Sequence, residues 1–144
     1  MKSFVIIFNL FLCTIACCQE IEKEVIYLHF DLNSSDECET YINGKGVMSK
    51  KFRKEKFINF FQYWICNERF FSKNTENTSD VIEPYSYLNN KKVVNIEYLQ
   101  NKFNWKLEFK HHVFKDIIFF EKLPNNKIKL YHVVWNDSRI MVIE

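Results

Sequence analysis

Ser49–Phe71 reads SKKFRKEKFINFFQYWICNERFF, and how this stretch folds decides the architecture. Its first half carries Lys50, Lys51, Arg53, Lys54 and Lys56, diluted by Glu55. Its second half is almost continuous aromatic surface: Phe57, Phe60, Phe61, Tyr63, Trp64, Phe70 and Phe71, with Cys66 among them. Two periods compete. Phe57, Phe60, Phe61, Trp64 and Ile65 form a helical stripe, yet Ile58, Tyr63 and Cys66 fall outside it. Aromatics and Ile dominate while Ala and Leu are missing, which favours strand. Ser49 is a candidate cap for a short helix, although cations at a helix start oppose its dipole. The expectation is mainly strand, with a helix ending near Phe57.

Working outward, Val25–Leu32 alternates cleanly. Ile26, Leu28, Phe30 and Leu32 share one parity, as expected of a strand with one buried face. Turn residues Asn33–Asp36 follow, then a second strand over Cys38–Ile42 and a tight turn at Asn43-Gly44. On the other side, residues 72–80 are the most polar segment and read as an exposed loop. Val93–Phe103 fits either a helix capped by Asn95 or a strand. Trp105, Leu107 and Phe109 alternate with charged residues, and Val113–Lys122 is strongly apolar. A turn at Leu123–Asn126, a strand over Lys127–Trp135, a turn at Asn136–Ser138 and a strand over Arg139–Ile143 complete the chain. The fold class is a β-rich α+β domain: an antiparallel sheet with a C-terminal strand meander and one or two short helices.

The 144 residues fit one domain, residues 19–144, preceded by a separate leader. Aromatic content is 17%, with 15 Phe, so a small chain can still bury a substantial core. The leader, MKSFVIIFNLFLCTIACCQE, has the cation, short apolar run and small residues of an export signal over residues 1–18. Its apolar run is shorter than the ~20 residues needed to span a bilayer. Thr14-Ile15-Ala16-Cys17 resembles a bacterial lipoprotein box, which implies a signal ending at residue 16 and a lipid on Cys17. Ordinary cleavage after Cys18 is the competing reading, and both stay open. Either way the mature chain is expected outside the cytoplasm: periplasmic, anchored in the outer membrane, or secreted.

Export gives the cysteines meaning. Cys13 leaves with the signal, Cys17 and Cys18 sit at its end, and Cys38 and Cys66 are left as an even pair in an oxidising compartment. They are expected to form a disulfide.

The formal charge is +2, and removing Lys2 with the signal leaves +1, 19 basic against 18 acidic residues. A nucleic-acid binder carries a basic excess, so nucleic acid is not an expected partner. No phosphate loop or nucleophile elbow is present in the sequence. Four histidines occur: His29, His111, His112 and His132. On a strand, His111 and His112 would point to opposite faces. His111-His112 with Asp116 suggests acid–base or metal chemistry, and a hairpin could also bring His112, His132 and Asp137 together, but no spaced metal motif supports either set. No cofactor or metal is expected. The preferred reading is a small exported cell-envelope protein, a binding or interaction module without catalytic activity. Its partner would be a protein or envelope component, and it would touch the membrane only through Cys17. The alternative is a small metal-dependent or histidine-using hydrolase.

Overall fold

The computed structural model describes residues 23–42, 44–72, 81–104 and 109–137. Along them run β1 (Val25–His29), β2 (Glu37–Ile42), β3 (Lys45–Lys50), β4 (Phe52–Lys56), β5 (Phe61–Ile65), β6 (Glu68–Ser72) and β7 (Val81–Pro84). A 3-10 helix (Tyr85–Asn90), β8 (Val93–Val94), helix α1 (Ile96–Lys102), the single turn α2 (Lys110–Val113), β9 (Asp116–Leu123) and β10 (Lys127–Trp135) follow. The export signal, Cys17, most of the 72–80 loop and the expected last strand lie outside the described residues. Among the described residues no helix is long and apolar enough to cross a membrane.

The main sheet has the order β4-β5-β6-β10-β9-β1-β8, with β7 also beside β10. Its heart is β9. Ile117 and Phe119 point to one face and Ile118 and Phe120 to the other, and all four are buried. β10 pairs antiparallel with β9 through a turn in which Asn125 and Asn126 adopt positive φ, a conformation that Asn tolerates. The expected strand-rich fold with a C-terminal strand run is present. β1, however, joins the sheet in parallel, with Ile26 opposite Ile117 and Tyr27 opposite both Ile118 and Val93. Both faces of β1 are covered by a core, with Tyr27 in the cluster of Leu88, Ile118 and Phe120, so Tyr27 is buried as well as Ile26 and Leu28. The single buried face read from its alternation was an underestimate.

Two cores result. On one face, Ile26, Leu28, Phe30, Phe52, Tyr63, Phe70, Phe119 and Trp135 pack beneath α1 and α2. On the other, Tyr27, Ile118, Phe120, Ile128 and Leu130 pack against Leu88 of the 3-10 helix. Asn95 does cap α1, its side-chain oxygen accepting from the Tyr98 backbone N–H at 3.0 Å, while Ile96 and Leu99 face the core. The ambiguous segment therefore holds both elements, a two-residue strand and then a helix.

The helix expected to end near Phe57 does not form. β3 and β4 occupy Lys45–Lys50 and Phe52–Lys56 instead. Extended backbone sends Phe52 into the core and lays the cations along the aromatics of β5. Lys54 Nζ lies 4.3 Å from the Phe61 ring centroid, and the Arg53 guanidinium lies 5.0 Å from that of Trp64. Each such contact is worth about 0.5–1 kcal/mol at a partly exposed site. A helix would instead gather the cations at its positive end.

Candidate functional site

The catalytic alternative rests on the histidines. His132 is exposed, with Nδ1 3.8 Å from Asp116 Oδ1 across the β9–β10 pair. His111 and His112 lie in the helical turn α2 rather than on a strand, and their rings are 4.0 Å apart. Burial, then the neighbouring His112, holds His111 below the ordinary imidazole value, while the charge of buried Asp137 opposes this. The candidates thus keep different company: His132 with Asp116, His112 with His111, and Asp137 within electrostatic reach of His111. Among the described residues, no group of three or more His, Cys, Asp or Glu side chains could hold a metal ion.

Glu68 was not singled out from sequence. It stands on β6 with the parity of Phe70, so its carboxylate turns into the core, and that parity was the available signal. Oε2 accepts from Trp135 Nε1 at 2.7 Å and from Lys110 Nζ at 2.6 Å, while Oε1 accepts from Gln100 Nε2 at 3.2 Å. Lys110 Nζ also lies 5.0 Å from the Trp135 ring centroid. A buried carboxylate met by three donors, one of them a cation, is balanced in charge and hydrogen bonding. It ties β6, α1, α2 and β10 together and serves as structure.

The opposite face at the β4–β6 end is different. Arg53, Trp64 and Arg69 are register partners across β4, β5 and β6. The Asn136 backbone N–H, donating to the Arg69 carbonyl at 2.8 Å, extends the row past the end of β10. Arg69 lies 5.6 Å from the Trp64 centroid, so the indole has a guanidinium from each neighbouring strand. Arg53 Nη2 donates to the Cys66 carbonyl at 3.1 Å. Neither arginine forms an ion pair among the described residues. Arg53 Nε, Trp64 Nε1 and Asn136 Nδ2 are closed to water without a hydrogen-bond partner.

Beside this row hangs the two-stranded β2–β3 sheet. Cys66, in the turn between β5 and β6, is bonded to Cys38 of β2, with Cα atoms 5.8 Å apart. The expected disulfide is present. Asn67 supports the same joint, donating to the Glu39 carbonyl at 3.2 Å and accepting from the Tyr41 backbone N–H at 3.4 Å. Beyond the joint the hairpin stands in solvent. Tyr41 is 65% exposed and Met48 60%, and register places both on one face, around Gly46. A side chain at Gly46 would run into Glu39, so glycine leaves this face shallow.

Comparison of the chain with protein-family models, with curated proteins and with solved structures returns no match.

Proposed function

We propose that the protein is a small exported binding module of the cell envelope, acting without catalysis. The observation that carries this reading is the disulfide-pinned β2–β3 hairpin, which holds Tyr41 and Met48 in solvent beside the Arg53–Trp64–Arg69 row. Tyr, Trp, Met and Arg are the residue types enriched at protein interfaces. Here they are gathered at one end of the molecule. Pinning the hairpin to the β5–β6 turn reduces the ordering that binding would otherwise require. Export over residues 1–18 delivers the chain to a compartment where the disulfide persists. The mature form is periplasmic, anchored through Cys17, or secreted.

The test uses the mature protein as bait in native envelope extract. A single partner retained by the wild type and lost from a Tyr41→Ala, Met48→Ala variant with unchanged thermal stability supports the reading. Equal retention by both proteins, or none by either, overturns it. Intact mass of the protein recovered from its native source checks export. Loss of residues 1–16 or 1–18 is expected, and an uncut N-terminus would refute it.

A further inference from the structure

We infer that the Arg53–Trp64–Arg69 row receives an acidic, extended peptide segment of the partner protein. This inference rests on the binding reading above and names the chemistry of the partner.

Three features point to this ligand. The first is charge. Two guanidiniums flank one indole, and among the described residues neither meets a carboxylate. Glu55, the acid two positions from Arg53 on the same parity, is exposed and forms no ion pair among the described residues. The second is the hydrogen-bond balance. A guanidinium carries five N–H donors and no acceptor, and among the described residues the pair spends one of these groups, Arg53 Nη2 on the Cys66 carbonyl, so the fitting ligand brings acceptors. Arg53 gives Nη2 to the Cys66 carbonyl and so meets a carboxylate chiefly as a charge, whereas Arg69, stacked on Trp64, keeps its N–H edge for a carboxylate fork. The third is spacing. Arg53 and Arg69 are two strands apart, about 10 Å at ordinary strand separation. A polyproline II segment repeats side-chain direction every three residues, about 9.3 Å. Carboxylates at positions i and i+3 of such a segment therefore match the arginines, with the residues between them over Trp64. A long polyanion fits less well, because the chain as a whole carries a net charge of only +2.

The experiment is calorimetric titration of the intact, oxidised protein with a synthetic proline-rich peptide bearing Glu at every third position. Binding that weakens as salt is raised and is absent with the Gln counterpart is expected. Arg53→Gln and Arg69→Gln should each weaken it about tenfold. Arg53→Lys and Arg69→Lys, which keep the charge and the fold, should fall between wild type and Gln. Undiminished binding by the Gln variants, or equal affinity for the Gln peptide, overturns the inference. Tighter binding of heparin, inorganic phosphate or anionic vesicles than of the acidic peptide also overturns it. Should the Tyr41→Ala, Met48→Ala variant lose its envelope partner while the acidic peptide fails to bind wild type, the binding reading stands and this inference falls.

Discussion

Trp135 and Trp64 each sit beside a cation, and they have opposite fates. Trp135 is buried, its N–H donates to Glu68, and Lys110 both covers its ring and pairs with the same carboxylate. Trp64 is half-buried, two arginines lie on it, and its N–H has no acceptor. One carboxylate accounts for the contrast. Where Glu68 closes the circuit, cation and indole lock four elements together. Where no acid closes it, the two guanidiniums stay on the indole without a carboxylate among the described residues. The two sites lie on opposite faces of one sheet, so a residue's role follows from its parity as much as from its identity.

The contrast can be broken from either side. The largest effect is expected at Glu68. Replacing it with Ala strands Lys110 beside the core and should cost about 3–5 kcal/mol in urea unfolding. The charge-free Glu68→Leu, Lys110→Met pair should recover most of that loss, and failure to do so would mean that hydrogen bonding rather than charge balance holds the cluster. Next comes the joint beside Trp64. Opening the Cys38–Cys66 disulfide, which closes a sequence separation of 28, should cost roughly 3.5 kcal/mol on the chain-entropy estimate. Far-ultraviolet circular dichroism should still report an intact main sheet, since β2 and β3 pair only with each other. Two free thiols in denatured, unreduced protein would defeat this prediction at once. Trp64→Phe keeps a ring between the arginines and should change stability by less than about 1 kcal/mol, far below the cost at Glu68. Equal costs at the two sites would erase the distinction.

The smallest effect is a pH dependence. His29 packs 5.2 Å from Phe120, and burial, then the charge of Lys122, holds its imidazole below the ordinary value of about 6.5. The unfolded chain therefore takes up the proton first as pH falls. The stabilising contribution is complete above about pH 6.5 and is lost as pH drops through the lower, folded value. Urea midpoints should fall between pH 7 and pH 5, and less steeply in His29→Leu. An unchanged slope would remove His29 from the account.

Much of the fold was legible where the information is local. Lys127–Trp135 became β10 with the bounds read from its alternation, because Pro124-Asn125-Asn126 marks its start. The disulfide followed from elimination among five cysteines. What stayed hidden depends on partners distant in the chain. Arg53 and Lys54 look like a solvated helix until Trp64 and Phe61 are opposite them. Glu68 looks like one acid in an aromatic run until Gln100, Lys110 and Trp135 arrive from three other elements. His111 and His112 were assigned opposite faces because their single helical turn carries no periodic signal. Of the candidate site, the residue types were readable, whereas the row that groups them depends on strand register, which no single segment encodes.

The parallel seating of β1 has a consequence in time. Val25 meets Asp116 and Tyr27 meets Val93, so the first described strand is flanked only by segments made much later. Hairpins such as β5–β6 can form as soon as they emerge, but the centre of the sheet stays open until residues around Phe120 are free to pair. Contacts of such long sequence range slow folding. The pairing of β1 must therefore wait until residues 93–120 have been made.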